Sequence, residues 1–350
     1  MLAAESKVAT NAIPGSPNGD ATRAWRKIVE PAEPFLEAVS RQLMRRVREF
    51  DPQVVPHAQY ALDSNGKHLR PTLVALAAGT LGKLGEDHVR AAVIIEMVHL
   101  ATLVHDDVMD EAELRRGRLT VAAKWGNEIA VLLGDCLFAQ AVKLAAEFPT
   151  PELCRAVAVA VNTVCSGEIL QTQQRRKFAL SRRDYFRVIE MKTAELFGLS
   201  CDLAAYLSGA TDAQRRTLRA FGMAFGAAYQ VYDDCMDLFG TEELAGKSLG
   251  TDLAQGKLTW PVLLAWERAS AEDRAGLENL IEKWQPENLP RVNEMMERYG
   301  AFEPSQEVVR RFLDQGRQAL SPLPESAGRT GLSALTDFLA QQMDVLMVCS

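Results

Sequence analysis

A chain of 350 residues that is 47% hydrophobic and 24% charged holds enough apolar material for a large core, which excludes wholesale disorder. Its 39 basic and 46 acidic residues leave a formal charge of −7, and with no basic stretch to offset that balance, nucleic acid is not expected as a partner. The six cysteines form no CxxC or other metal-ligand spacing, no uncharged apolar run reaches the length of a membrane span, and no basic-then-apolar leader opens the chain, so a cytoplasmic protein without a transmembrane segment is expected.

In chain order, residues 1–22 are rich in Ala, Ser, Asn, Gly and Pro without periodicity and read as a disordered tail ahead of one domain, 23–350. Phe35, Leu36, Val39, Leu43, Met44 and Val47 then recur at helical spacing, the mark of an amphipathic helix. In NGKHLRP, residues 65–71, Lys67 and Arg70 sit just before Pro71, a residue suited to a first helical turn. The amide groups of such a turn already favour an anion.

Ala92 to Asp110 is the central prediction. Met97, Val98, Leu100, Ala101, Leu103 and Val104 make an apolar helix, and into it come Asp106, Asp107 and Asp110. At helical spacing these carboxylates crowd one another, and like charges so placed weaken a helix unless something positive lies between them. His99 projects from the same face, and Arg115 and Arg116 follow. Further helices are predicted at Trp125–Ala146, Ala156–Gln174 and Asp184–Ala210; Gln171, Thr172 and Gln173 either line a polar cavity or are exposed. Leu218–Phe239 then repeats the device: Asp233, Asp234 and Asp237 stand at the same i, i+1, i+4 spacing, with Gln230 on their face. Unpaired buried charge is very costly, so two such triads point to bound cations. Hard divalent ions take carboxylate oxygens, and Mg²⁺ keeps positions for water and phosphate; several Mg²⁺ ions around a diphosphate fit the pattern. Residues 246–261 form a loop with Lys247, Asp252 and Lys257 at five-residue intervals, suited to closing over phosphates. Amphipathic helices without a chemical motif follow. Sustained alternating runs are missing, so the fold class is all-α: a single-domain bundle of ten or more helices around a central cavity.

HDDVMDEAELRRG, DDCMD, NGKHLRP, MKTAELF (191–197) and GKSLGTDLAQGKLTWP (246–261) together resemble the trans-isoprenyl diphosphate synthases, most closely the homo-oligomeric bacterial polyprenyl type, over about residues 30–345. The family usually reads GGK and a further basic residue where this chain has Asn65, Gly66, Lys67 and His68. The resemblance implies a homodimer that condenses isopentenyl diphosphate with an allylic diphosphate. It implies metal ligation by Asp106, Asp107, Asp110, Asp233, Asp234 and Asp237, which would neutralise the departing diphosphate. Arg115, Lys192, Lys247 and Lys257 would add positive charge beside it. Lys67, Arg70, His99 and Arg116 would hold the second diphosphate, and Thr193 and Gln230 would direct oxygen dipoles at the carbocation. Product length would depend on Val98, Ala101 and Thr102 below the first triad, whose small side chains leave a tunnel open for a product of about C25 or longer, each turn adding about 5.4 Å of depth. A shorter-chain geranylgeranyl or farnesyl diphosphate synthase and a terpene cyclase-like enzyme on the same fold are alternatives, although a cyclase has little use for a second basic cluster. A phosphohydrolase built on His105–Asp106 lacks further histidines, and a regulatory subunit would not need both triads.

Overall fold

The computed structural model describes residues 19–63, 66, 68–82, 84–245 and 248–349; Asn65, Lys67, Lys247 and residues 1–18 of the expected tail lie outside them. The described chain is helical almost throughout. Helices α1 (Gly19–Val29), α2 (Glu33–Val47), α3 (Val55–Leu62) and α4 (Leu69–Gly79) lead into the long α5 (Glu86–Met109), then the short α6 (Val121–Trp125), α7 (Asn127–Ala146) and α8 (Glu152–Gln174). After α9 (Arg182–Ile189), α10 (Glu195–Leu207) and the 28-residue α11 (Asp212–Phe239) come the one-turn α12 (Glu242–Ala245) and α13 (Thr251–Ala254). The chain closes with α14 (Trp260–Arg268), α15 (Ala271–Glu282), α16 (Leu289–Arg298), α17 (Phe302–Leu320) and α18 (Ala327–Cys349).

Two helices organise the bundle. Helix α5 is buried along its middle, Ala91 to Val98 apart from Glu96, because its sequence there offers almost no polar position and a helix apolar nearly all round must be enclosed. It packs chiefly on α7, with α2, α4 and α10 around it. Helix α11 packs on α10 and α17. Its first turn is fixed by a reciprocal cap: the Gln214 amide donates to Thr211 Oγ1 at 3.3 Å and the Thr211 amide to Gln214 Oε1 at 2.9 Å, satisfying N–H groups that a helix start leaves unpaired. Gly222 permits the close approach of α10, since a Cβ there would lie 2.4 Å from the Phe197 carbonyl oxygen.

Among the described residues the structure departs from regular α-helix at two notable places. Past α5 the chain forms a hairpin of strands β1 (Leu114–Arg115) and β2 (Arg118–Leu119). Its central residues, Arg116 and Gly117, both have positive φ, 53° and 73°, the geometry of a tight turn that follows the twist of paired strands. Strands of two residues each are too short to give an alternating pattern. Tyr60 secures the hairpin by donating to the Leu119 carbonyl at 2.8 Å. A second departure lies between α9 and α10, where Glu190–Ala194 widens into a π-helical turn. Insertions of this kind re-aim side chains and frequently mark functional positions; this one carries Lys192 and Thr193.

Two helices, α7 and α8, are long and apolar enough by length and composition alone to cross a membrane, with 44% and 28% of their most apolar windows buried in the fold; each carries charged residues, among them Asp135 and Glu168, so neither is an uncharged run. Their exposed positions include Ile129, Val131, Leu132 and Val142 on α7 and Val159 and Ile169 on α8.

Candidate active site

Both aspartate triads border one cavity of about 1730 Å³. That exceeds the roughly 300–1,000 Å³ of an ordinary small-molecule pocket and suits an elongated ligand. The C-terminal end of α5 supplies Asp106, Asp107 and Asp110, and α11 supplies Asp233 and Asp234. Asp237 is not on this wall. It is fully buried, and its carboxylate accepts from Thr251 Oγ1 at 2.8 Å and from the Asp252 amide at 3.1 Å. Its two oxygens meet the Thr251 hydroxyl and the Asp252 amide rather than the cavity.

The remaining five carboxylates differ in their surroundings. Asp106 faces the cavity, and burial, aided by Glu168 and Asp110 and opposed by Lys192, pushes its pKa up to about 6. The Lys192 ammonium lies 4.0 Å from Asp106 Oδ2 while pairing with Glu168 and donating to Gln171 Oε1 at 2.8 Å. Burial works against that ammonium, but Asp106 and Glu168 outweigh it and hold its pKa above the ordinary lysine value. Asp107 accepts from Arg115 Nε at 2.7 Å. Asp110 is gripped from two sides, by Lys257 Nζ at 2.6 Å and an Arg175 guanidinium nitrogen at 2.8 Å, and Gln255 Nε2 donates to its carbonyl oxygen at 2.5 Å.

Across the cavity, Asp233 meets no hydrogen-bond donor among the described residues. Asp234 is buried and accepts from the Tyr185 hydroxyl at 2.5 Å and Gln230 Nε2 at 2.8 Å, while Thr193 Oγ1 donates to Gln230 Oε1 at 2.7 Å. Burial and the nearby Asp252 raise the Asp234 pKa to about 8, against the pull of those two hydrogen bonds. Thr193 and Gln230 thus belong to one network that ends on Asp234.

A second, basic pocket opens beside the first triad. Arg70, His99, Arg115 and Arg116 line the cavity with His68 and Glu96. The Arg70 guanidinium lies 4.7 Å from the centre of the Phe197 ring, and its Nε is buried with no hydrogen-bond partner among the described residues. Burial, reinforced by Arg70, Arg116, Arg115 and His68, holds the His99 pKa well below the ordinary imidazole value. His68 stands at the start of α4 with φ 46° and lies 3.5 Å from Glu96, a contact that raises its pKa. A buried, unpartnered donor among several cations is a place for a multiply charged anion. Lys67, expected beside Arg70, and Lys247, expected beside Lys257, lie outside the described residues.

Of the three residues expected below the first triad, Thr102 lines the cavity, whereas Ala101 and Val98 do not and are 0% and 1% exposed. At about 100° per residue, Thr102 lies about 40° from Asp106 around the helix and His99 about 20°, but Val98 about 80° and Ala101 about 140°. Ala101 packs instead among Val47, Leu133 and Leu137. The apolar part of the cavity wall on this side includes Thr102 and Leu103 with Leu43, Leu62 and Phe138.

Sequence reading missed Glu168, Arg175, Tyr185 and Gln255. A signal existed for two of them, since Glu168, Gln171 and Arg175 recur at i, i+3 and i+7 on one face of α8 and its end.

Among the described residues no group of three or more His, Cys, Asp or Glu side chains stands ready to hold a metal ion. The donors nevertheless fit Mg²⁺. They are hard carboxylate oxygens, burial raises the pKa of Asp106 despite the nearby Lys192, and Mg²⁺ takes only one or two protein carboxylates when phosphate supplies the rest.

Comparison with known proteins points the same way. The family model described as Polyprenyl synthetase matches residues 51–299. The heptaprenyl diphosphate synthase component 2 of Bacillus subtilis is 35% identical over 308 residues, 88% of each chain. A crystal structure of a decaprenyl diphosphate synthase from Rhodobacter capsulatus superposes with a TM-score of 0.86 at 32% identity, covering 91% of this chain and 99% of that one. A polyprenyl synthase from Caulobacter crescentus, complexed with calcium and isoprenyl diphosphate, gives 0.86 at 31% identity, covering 94% and 99%.

Proposed function

Since the chain belongs to the polyprenyl synthetase family, we propose that it is a trans-prenyltransferase that condenses isopentenyl diphosphate with an allylic diphosphate, repeatedly, to a medium-to-long polyprenyl diphosphate. The observation that carries this reading is the pairing of two anion sites in one large cavity: carboxylates of α5 and α11 on one side, the Arg70–His99–Arg116 pocket on the other.

Asp106, Asp110 and Asp233 are the residues that would hold Mg²⁺, which when bound supplies Lewis-acid neutralisation of the leaving diphosphate. Lys192, Lys257 and Arg115 add fixed positive charge where negative charge develops, without reorganising at the moment of reaction. Arg70, Arg116 and His99 orient the second diphosphate, converting an encounter into a held geometry. His99 stays neutral in this cationic pocket and serves as a hydrogen-bond donor. The Thr193 hydroxyl gives its hydrogen to Gln230, leaving its lone pairs for the carbocation. The lower wall of Thr102, Leu103 and Phe138 encloses the growing chain and excludes water.

The same reading places the enzyme in the cytoplasm as a homodimer, joined through the apolar positions exposed on α7 and α8. The Bacillus relative's name, component 2, favours a second arrangement, pairing with a different chain. Sedimentation of the purified protein distinguishes them: twice the chain mass supports the homodimer, and the mass of a single chain overturns it. The activity is tested by incubation with Mg²⁺, labelled isopentenyl diphosphate and each allylic primer in turn, with products sized. Elongation to about C25 or longer is the expected result for a cavity of about 1730 Å³; no elongation with any primer overturns the reading.

A further inference from the structure

The buried Asp237 is the member of the second triad that leaves the cavity, and its contacts form a pattern. Its main-chain carbonyl accepts from the Gly250 amide at 2.8 Å, and its carboxylate takes the Thr251 hydroxyl and the Asp252 amide. Three consecutive residues are thus fixed to one aspartate. From there the chain makes a single turn, α13, closed by Gly256 amide to Leu253 carbonyl at 2.9 Å and Lys257 amide to Asp252 carbonyl at 2.8 Å.

Both ends of this segment are held in a left-handed conformation by glycine, with Gly250 and Gly256 each at φ 69°. Neither tolerates a side chain: a Cβ on Gly250 would meet Trp284 at 2.5 Å and one on Gly256 would meet Arg176 at 2.7 Å. The Arg176 amide in turn donates to the Gly256 carbonyl at 2.7 Å. The far end delivers Lys257 and Gln255 to Asp110, the last aspartate of the first triad, where Arg175 also binds.

We propose that Asp237 is a positioning residue: it anchors a 250–257 strap that carries Lys257 and Gln255 to Asp110, and so sets where Lys257 stands. The two triads are mechanically linked by this strap, although their corresponding members lie 127 residues apart in sequence along α5 and α11. Lys257 takes Oδ2 of the Asp110 carboxylate and Arg175 takes Oδ1. Resting on the function proposed above, an entering diphosphate would draw Lys257 away and open Oδ2 to metal, while the anchor keeps the lysine within reach.

The test is hydrogen exchange on the metal-free, substrate-free full chain, read at the amides of Gly250, Asp252 and Lys257. Asp237→Asn and Thr251→Val are each expected to speed exchange there by about tenfold or more, as loss of a local anchor lowers the opening free energy, while Asp233→Asn leaves it unchanged. Thr251→Val removes one donor without touching a carboxylate, so the test survives if Asp237→Asn folds poorly. In turnover, Asp237→Asn is expected to keep the wild-type Mg²⁺ requirement, and its loss is expected not to add to that of Lys257→Ala. Wild-type exchange in both anchor variants overturns the proposal, as does a raised Mg²⁺ requirement matching that of Asp233→Asn. Failure of elongation in the unmodified protein would instead count against the function, leaving the exchange result to decide the strap.

Discussion

The two aspartate triads share one spacing and have different employment. On α5, Asp106 and Asp110 both reach the cavity and both meet cations, Lys192 for the first and Lys257 with Arg175 for the second. On α11 only Asp233 faces the cavity unbound by a described donor; Asp234 closes the Tyr185–Gln230–Thr193 network and Asp237 holds the strap. The difference arises from what each helix is packed against. Asp110 ends α5, where the last turn is open to the cavity, whereas Asp237 lies within α11 and turns toward the segment that α11 itself supports. A repeated motif fixes residue spacing and leaves the role of each carboxylate to the neighbours.

The comparison breaks most readily at its metal-facing members. Asp106→Asn and Asp233→Asn are each expected to lower kcat/KM by about 10³-fold, the scale of losing charge stabilisation at a reacting group, as measured by incorporation of labelled isopentenyl diphosphate. Asp237→Asn is expected to cost less, about 10²-fold, the penalty of misplacing a group by about 1 Å. Equal losses at Asp233 and Asp237 would erase the distinction between ligand and anchor.

The charged cavity wall makes a stability prediction of opposite sign. The Asp106 pKa is raised to about 6 in the fold, above its value of about 3.9 in an unfolded chain. Folding therefore disfavours its ionised form: the penalty is fully present above about pH 6 and vanishes as pH falls below about 4. Asp106→Asn should accordingly stabilise the metal-free protein at pH 7.5 by about 1 to 3 kcal/mol, with the gain shrinking toward pH 4 in thermal melts. The same protonation should weaken Mg²⁺ binding below about pH 6, since a ligating carboxylate must be ionised. Asp237, by contrast, is satisfied by its own fold, and Asp237→Asn should destabilise.

The smallest effects sharpen the α5 side of the comparison. Thr102→Phe should shorten the product, because that side chain lies on the cavity wall, and Phe138→Ala should lengthen it. Ala101→Phe should leave chain length unchanged and lower stability, since it overfills the packing among Val47, Leu133 and Leu137 at about 1–3 kcal/mol. Product sizing separates the two faces of the helix.

Much of the site was legible in the sequence because aspartates inside apolar helices are costly without a function. The spacing of Asp106, Asp110 and Asp233 drew attention to them, while the roles expected of Arg70, His99 and Arg116 came from the family resemblance; the structure sets all six along one cavity. What could not be read depends on direction and contact. The left-handed turn at Arg116–Gly117 joins strands too short to leave a pattern, and the π-helical turn that carries Lys192 and Thr193 has no periodic signal. The contacts of Asp237 with residues 251 and 252 and the burial of Ala101 depend on which segments pack against each helix, which spacing along the chain does not carry. Glu168 and Arg175 were within reach, one turn either side of Gln171, had the polar face of α8 been followed to its end.

The central claim is that carboxylates from α5 and α11 hold a divalent ion together through a shared diphosphate ligand. Mn²⁺ binding followed by electron paramagnetic resonance, with and without a non-reactive allylic diphosphate analogue, tests it directly. The account predicts weak binding to the protein alone, tight binding when the analogue is present, and loss of the tight site in both Asp106→Asn and Asp233→Asn. Tight Mn²⁺ binding that needs no diphosphate, or that survives either substitution, would contradict it.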